Sequence, residues 1–281
     1  MQHCLVVSLL VCLVHSQMTV NKNNLIDTEP TLPPFDFTEE GRDWPGQLCA
    51  NYRFQTPIDI SDVYSNLQIV TAENSTLREF QFDTPPMPQS DLFVQNAEGI
   101  LIYWLASTTF RQEVLGQTQT QFMLEAHYMV PAEHTLNGLR YPLELHIAYG
   151  LSHPDDRIVP AFNFILLFQE GRTEPFLDDL LNPNHTTIDI SPLFPPGGVV
   201  DDYYYYTGSV NLPWPDCWGP FSWVLPNYIL EASPEQIQYF NDLYINDLSF
   251  SNGNGIIRSL QPLNDRPVYH YITPRDSTFL S

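Results

Sequence analysis

Short apolar or alternating runs fill the chain from about residue 44 to residue 271, and Pro, Gly, Asn or Asp interrupts them about every ten residues. Side chains of a strand alternate between two faces, so such runs are typical of strands joined by turns. The 25 prolines disfavour long helices, because proline lacks the N–H that a helix interior needs. The pattern predicts one mainly β domain over residues 41–272. Its clearest runs are residues 99–105, 121–130, 142–149 and 161–168.

One helix is predicted near the C-terminal end of this domain. Ser233 suits the N-cap and Pro234 suits the first helical position. Ile237, Phe240 and Leu243 follow at the spacing that places side chains on one helical face. We therefore expect a short amphipathic helix with these three residues on its apolar face.

The first 40 residues have a different composition from the domain. Residues 1–17 have the pattern of a signal peptide, with an apolar stretch too short to cross a bilayer. Residues 18–40 are polar and contain Pro33 and Pro34, which predicts an extended arm. Residues 273–281 are predicted to be a C-terminal tail. A signal peptide implies a secreted protein, and no later stretch reaches the ~18 apolar residues of a membrane helix.

Cysteine usage agrees with secretion. Two of the four cysteines lie within residues 1–17, so the mature chain would keep only Cys49 and Cys217. In an oxidising compartment these two are most simply one disulfide, and the alternative is two free buried thiols. Two N-glycosylation sequons, beginning at Asn74 and Asn184, fit the same compartment.

The formal net charge of −22 restricts the possible partners. Such a charge repels nucleic acids and anionic membranes, so neither is an expected partner. The acidic residues are scattered, without a block of five or six like charges. The charge is therefore compatible with an ordinary solvated surface or with attraction of calcium, mineral or a basic partner, and composition does not choose between them.

Two histidines are candidate metal ligands. His127 and His146 lie in separate predicted strands, and a carboxylate precedes each by two residues, Glu125 and Glu144 respectively. Metal-bound histidines commonly donate their second ring nitrogen to such a carboxylate. Taken alone, the pattern is weak, because a histidine in an apolar strand is more often a buried structural residue than a metal ligand.

A wider set of motifs resembles the α-carbonic anhydrases, in the order that this family has them. The motifs are Gln55-Thr56-Pro57-Ile58-Asp59-Ile60, Glu133-His134-Thr135-Leu136-Asn137-Gly138, Tyr141-Pro142-Leu143-Glu144-Leu145-His146, Phe168-Gln169-Glu170-Gly171 with Pro175-Phe176, Tyr206-Thr207-Gly208-Ser209-Val210, and Gln261-Pro262-Leu263-Asn264-Asp265-Arg266. The resemblance implies a large, twisted, mostly antiparallel central sheet with short peripheral helices. It also implies a conical cavity with Val210 and Trp223 on its apolar side. Secreted members form a disulfide at the positions of Cys49 and Cys217.

The resemblance implies a zinc ion held by three histidines, which lowers the pKa of a bound water to about 7. Here the three positions read His127, Met129 and His146. A thioether is a soft ligand that suits copper(I) better than zinc. By the same resemblance Glu144 would orient His146, and Glu125 replaces the usual amide partner of His127. Met129 is therefore expected to be a lost zinc ligand.

The proton path implied by the resemblance is also altered. Glu133 matches the family's buried glutamate, but Asn211 stands where a threonine hydroxyl links that glutamate to the zinc hydroxide. An amide cannot pass a proton as a hydroxyl does. The shuttle histidine expected within residues 96–99 is missing, and Glu98 lies nearby. The segment between Met129 and Glu133 is shorter than in the family.

These departures favour a secreted carbonic anhydrase-related protein that has no cofactor and no hydratase activity. It would act as a binding or structural module for an unidentified extracellular protein or matrix. One alternative is a zinc-dependent carbonic anhydrase whose site is rebuilt with Glu125 or Glu133 as a ligand. A copper site formed by His127, Met129 and His146 is another, and an acidic calcium or mineral matrix protein on the same fold is a third.

Overall fold

The computed structural model describes residues 36–44, 49, 51–62, 66–97, 100–104, 109–114, 117–152, 158–182, 184–210, 217, 219–246 and 248–273. The predicted signal peptide, most of the predicted arm, and the tail beyond residue 273 lie outside the described residues. No helix in the described part of the chain is long and apolar enough to cross a membrane.

Strands provide most of the regular structure and are numbered in chain order. They are β1 (Asp59–Ile60), β2 (Leu67–Val70), β3 (Phe80–Asp83), β4 (Met87–Pro88), β5 (Phe93–Ala97), β6 (Ile100–Trp104), β7 (Thr109–Val114), β8 (Gln117–Met129), β9 (Thr135–Leu136), β10 (Leu139–Arg140), β11 (Leu143–Ser152), β12 (Ile158–Glu170), β13 (Thr187–Ile188), β14 (Val199–Val200), β15 (Asp202–Gly208), β16 (Phe221–Pro226), β17 (Leu230–Ala232) and β18 (Val268–Ile272). The α-helices with described bounds are α1 (Pro175–Leu181), α2 (Pro234–Tyr244) and α3 (Leu248–Ser251). Short 3-10 turns span Gln89–Asp91 and Ser191–Leu193.

One sheet of 13 described strands forms the body of the protein. Its main path runs in the order β14-β3-β7-β8-β11-β12-β16-β15-β18-β2, while β6 joins the sheet beside β8 and β17 beside β12. Most neighbours are antiparallel, and β12 is parallel to β16 and β17, as β18 is to β2. The predicted fold class, a mainly β protein with a large and mostly antiparallel sheet and short helices, is confirmed.

The two faces of the sheet are covered differently. On one face, buried apolar and aromatic residues surround Trp223 and Tyr206, and Val210 packs against them. On the other face, the ring of Tyr128 lies 4.4 Å from that of Phe240 in α2. Tyr128 alternates with His127 and Met129 along β8, so the histidine side of this strand faces away from α2. The candidate ligands consequently lie on the face that Trp223 covers.

Helix α2 begins as predicted, with Ser233 as its N-cap. The Ser233 side chain accepts a hydrogen bond from Gln236 N, and the Gln236 side chain accepts one from Ser233 N, which completes a capping box. The expected apolar face needs one correction. Leu243 is 38% exposed, whereas Tyr244 is 3% exposed and takes the buried position. The buried apolar face of α2 therefore consists of Ile237, Phe240 and Tyr244.

The folded region begins before the boundary predicted at residue 41. Phe37 is completely buried, and its ring packs edge-on against Trp44 at 5.4 Å and Phe250 at 5.5 Å. Its backbone N–H also donates to Phe250 O at 2.8 Å. An aromatic side chain that is fully buried belongs to the core, so residues 36–40 are part of the domain rather than of an extended arm.

Candidate functional site

The candidate ligands lie side by side on β8 and β11, in the middle of the sheet. The antiparallel register pairs His127 with His146, and Met129 with Glu144. Directly paired residues of an antiparallel ladder point to the same face, so the four side chains lie together. All four are at most 1% exposed. The local strand pattern of the sequence therefore produces a compact, dry group of two imidazoles, a thioether and a carboxylate.

The two imidazoles are hydrogen-bonded to each other. His127 Nε2 lies 2.9 Å from His146 Nδ1, and His146 Nε2 contacts Glu144 Oε1. Burial, followed by the neighbouring His146, holds the pKa of His127 well below its ordinary value, so this ring is neutral. The proton of His146 faces the carboxylate, which leaves Nδ1 bare to accept the N–H of His127 Nε2. In this proton arrangement the two facing nitrogens are hydrogen-bonded to each other.

Glu144 connects this pair to a second histidine. His134 donates its backbone N–H to Glu144 Oε2 at 2.8 Å, and His134 Nδ1 lies 2.7 Å from Glu144 Oε1. Burial by itself raises the pKa of Glu144, but the two imidazoles and the hydrogen bonds it accepts lower it overall, so the group is ionised. Burial lowers the pKa of His134. The second ring nitrogen of this residue, Nε2, lies 2.6 Å from Tyr206 OH. The carboxylate thus organises both histidines from one buried position.

The network ends at Tyr206 and Thr56. Tyr206 OH lies 3.3 Å from Thr56 Oγ1, which joins β15 to the segment before β1. Gly208 makes this approach possible, because a Cβ at that position would lie 2.0 Å from Thr56 Oγ1. No side chain larger than glycine therefore fits at position 208.

Trp223 packs against the two histidines, with its ring 5.2 Å from His146 and 5.4 Å from His134.

Glu133 occupies a separate buried position. Its Oε1 accepts the backbone N–H of Arg258 at 2.6 Å, and the Arg258 guanidinium donates to Thr56 O at 2.8 Å. Burial lowers the pKa of Arg258 to about 10, although Glu133 opposes that shift. The hydrogen bond from the backbone of Arg258 anchors Glu133 to the loop after α3.

Glu125 does not pair with His127. His127 Nδ1 has no hydrogen-bond partner among the described residues, although it is buried. A register irregularity lies next to Glu125, between the pairs Ala148–Glu125 and Tyr149–Met123. Such a bulge interrupts regular alternation along the strand. Burial raises the pKa of the Glu125 carboxyl to about 7. The expected hydrogen bond to the first histidine is consequently absent from the described structure.

The donor set does not fit the zinc centre implied by the sequence resemblance. Zinc binding requires His127 Nε2 to lose its proton to Nδ1, where the described structure offers no acceptor. The third ligand would be the thioether of Met129, a poor partner for zinc. A group of His134, Glu144 and His146 also brings its donor atoms within 4.8 Å of one another. In this structure His134 Nδ1 and His146 Nε2 both contact Glu144 Oε1.

The other predicted residues lie at various distances from this centre. Trp223 is buried against the histidines, and its Nε1 donates to Ser209 O at 3.1 Å, next to the partly buried Val210. Cys49 and Cys217 form a disulfide. Asn74 and Asn184 are exposed, as a glycan acceptor must be. Asn211 and Glu98 lie outside the described residues.

Sequence reasoning gave no functional role to His134, Tyr206, Thr56 or Arg258. His134 and Tyr206 were present in the motifs that carry the family resemblance, but their contact joins residues 72 positions apart. The position of His134 in the sequence could have indicated contact with a carboxylate, since it directly follows Glu133 and lies ten residues before Glu144. Spacing alone did not show that Glu144 serves two histidines.

Comparisons with known proteins agree with this architecture. Residues 174–272 match the family model of the eukaryotic-type carbonic anhydrases, a range that begins after His146. The chain is similar to carbonic anhydrase Nec1 of Nesocodon mauritianus, with 26% identity over 277 residues, 93% of this chain and 92% of that protein. It is 30% identical to dioscorin dioA3 of Dioscorea japonica over 154 residues, which is 52% of each chain.

A solved structure of dioscorin complexed with ascorbate has a similar fold. Its TM-score is 0.60 at 21% identity, and the match covers 89% of this chain and 98% of that one. At this identity the likeness supports the fold alone.

Proposed function

Because this chain belongs to the α-carbonic anhydrase family, we propose that it is a secreted carbonic anhydrase-related protein without carbon dioxide hydratase activity, acting as a binding or structural module. The observation that carries the proposal is the ligand triad itself. Met129 is completely buried at one ligand position, beside two imidazoles that hydrogen-bond to each other.

The chemistry that the family performs depends on zinc making hydroxide available near neutral pH. Three neutral histidines leave the charge of the zinc ion undiminished and fix its tetrahedral geometry. In this chain His127 and His146 would have to break their mutual hydrogen bond, and a thioether would complete the set. Loss of one of three protein ligands is expected to remove several kcal/mol of metal affinity. We infer that the chain's own residues maintain a folded core here rather than a reactive centre.

The buried network also supports a structural role that is independent of metal. Glu144, His134 and His146 satisfy one another through hydrogen bonds within the core. A scaffold held in this way should keep its fold when metal is withheld. We expect a strong chelator such as EDTA to leave the melting temperature unchanged.

Secretion is supported by sequence and structure together. The apolar N-terminal residues resemble a signal peptide, and a disulfide joins residues 168 positions apart, as is common in oxidising compartments. A surface with a net charge of −22 suits a soluble extracellular module that meets a basic protein or a matrix. The test of this part is whether protein expressed with its leader appears in the medium, shortened at the N-terminus.

Zinc content and hydration rate of the purified protein test the proposal directly. We expect the wild type to contain far less than one zinc per chain and to hydrate carbon dioxide at the uncatalysed rate. Met129→His restores a third imidazole and should raise zinc toward one per chain. Adding Asn211→Thr to that variant restores the hydroxyl of the proton path and should bring measurable hydration.

Met123→His is the matched control, because it adds a histidine to the same strand away from the histidine pair. Its zinc content should stay at the wild-type level. A wild-type protein that retains a full complement of zinc through chelation and hydrates carbon dioxide rapidly would overturn the proposal and support the zinc hydratase alternative. Calorimetry with calcium examines the mineral-matrix alternative, for which many weak sites are expected.

A further inference from the structure

His127, Met129 and His146 fit zinc poorly, but their side chains suit a softer metal ion. Two buried imidazole nitrogens, His127 Nε2 and His146 Nδ1, face each other at 2.9 Å. Met129 follows His127 by two residues in a regular stretch of β8, so its side chain projects from the same face. It is completely buried beside them. Strand alternation therefore places the Met129 side chain on the same buried face as the two imidazoles.

We propose that His127, His146 and Met129 form a binding site for copper(I), a soft monovalent cation. Thioether sulfur selects copper(I) over harder metals, and imidazole is an accepted copper ligand. Two neutral imidazoles and a neutral thioether bind a single positive charge without a carboxylate in the coordination shell. Binding replaces the hydrogen bond between the rings with two metal–nitrogen bonds, and the proton of His127 moves to Nδ1, as it would for zinc. The preference for copper(I) over zinc therefore comes from the thioether of Met129.

The surroundings of the three residues disfavour competing metals. Glu144, which pairs with Met129 across the ladder, has both oxygens engaged by His134 and His146. It is therefore not available as the hard oxygen ligand that calcium or magnesium prefers. Burial excludes water, which zinc or copper(II) would use to complete a larger coordination shell. A three-coordinate site with soft character suits copper(I) best.

The inference deepens the proposed function, because it assumes that the site no longer holds zinc tightly. It does not depend on the binding-module role. The copper(I) site predicts that the purified protein binds one soft cation even though it binds zinc weakly. The same residues would then distinguish copper(I) from zinc by ligand type alone.

Anaerobic titration of the zinc-free protein with copper(I), in competition with a chromophoric copper(I) chelator, tests the site. We expect one equivalent to bind tightly. Met129→Leu keeps a similar volume and should weaken binding by about 100-fold or more, because even loss of an outer partner of a metal ligand costs about 10- to 100-fold. Met123→Leu, on the same strand, should bind as the wild type does. Silver(I) is an air-stable probe of the same donor set.

X-ray absorption of the copper-loaded wild type supplies a test that needs no variant. One sulfur and two nitrogen neighbours support the site, whereas a shell without sulfur overturns it. Equal affinity in Met129→Leu and wild type would also overturn it. If the wild type binds neither copper(I) nor zinc, the copper inference fails and the proposed loss of hydratase activity stands. If the purified wild type is fully loaded with tightly held zinc, both fail.

Discussion

At the scale of single residues, Glu125 shows how burial changes the chemistry of a carboxyl group. The described structure gives it no hydrogen bond or ion pair, and burial raises its pKa from 4.5 to about 7. The folded protein therefore keeps a proton on Glu125 that the unfolded chain releases near pH 4.5. Between these two values unfolding releases a proton, so the contribution of Glu125 to stability falls as the pH rises.

Glu125→Gln should remove this pH dependence. Because glutamine has no proton to lose, the variant should gain stability relative to the wild type by about 1–3 kcal/mol between pH 5 and pH 8. Urea unfolding at a series of pH values measures the difference. Glu79→Gln changes an exposed carboxylate and should give a profile parallel to that of the wild type. If the unfolding free energies of Glu125→Gln and the wild type also change in parallel with pH, the burial of the Glu125 carboxyl is contradicted.

Tyr206 is a second residue whose environment predicts a measurable effect. Its hydroxyl lies 2.6 Å from His134 Nε2 in a site without solvent. Tyr206→Phe leaves that nitrogen unpaired and should cost about 1–3 kcal/mol of unfolding free energy. Tyr205→Phe removes a partly exposed hydroxyl 3.1 Å from Ser222 Oγ and should cost less than about 1 kcal/mol. If both variants lose the same unfolding free energy, the buried hydrogen bond to His134 stabilises the fold no more than the partly exposed one to Ser222.

At the scale of elements, Gln236 ties the starts of two helices together. Its Oε1 accepts the N–H groups of Glu174 and Ser233 at 2.9 and 3.1 Å, and its Nε2 donates to Glu174 O at 2.9 Å. Glu174 is the N-cap of α1 and Ser233 is that of α2. One buried amide therefore satisfies the N-cap N–H groups of both helices, while Glu174 O also accepts the N–H of Asp178 within α1.

Gln236→Leu keeps the apolar contacts but leaves two buried backbone N–H groups, those of Glu174 and Ser233, without their acceptor. We expect a loss of roughly 2–4 kcal/mol, measured by urea unfolding, because each unsatisfied buried group costs about 1–3 kcal/mol and part of that cost relaxes. Gln238→Leu removes an exposed amide on the same helix that donates to Asp242. That variant should change stability by less than about 0.5 kcal/mol. A small effect at position 236 would show that water replaces the amide.

At the scale of the whole molecule, the Cys49–Cys217 disulfide joins distant parts of the chain. Its sequence separation of 168 residues encloses most of the domain, including β8, β11 and the candidate site. A crosslink over such a loop restricts the unfolded chain more than the folded one. The disulfide therefore stabilises the entire sheet.

Replacing both cysteines with serine should lower the unfolding free energy by about 5 kcal/mol, the value that loop-closure entropy gives for a loop of this size. Thermal unfolding of both proteins, with and without reductant, measures the effect. Reductant should lower the melting temperature of the wild type and leave the double variant unchanged. Equal melting temperatures for the oxidised wild type and the double variant would be incompatible with this account.

The sequence by itself determined the β class, the strands that hold His127 and His146, and the N-cap of α2. Those properties follow from local periodicity and from residue types whose preferences act over a few positions. Each of these predictions required only residues that are neighbours along the chain. The expectation that Met129 replaces a zinc ligand rests instead on the resemblance to the α-carbonic anhydrases, and it stays a prediction.

Only the tertiary structure decided how the buried polar groups share their partners. Glu144 serves both His134 and His146, Tyr206 reaches His134 across 72 positions, and His127 Nδ1 has no partner in the described chain. Phe37 joins the core by contact with Phe250, which no local pattern indicates. Hydrogen bonds form wherever the fold brings a donor to an acceptor, and that depends on strand register and on packing between segments far apart in sequence.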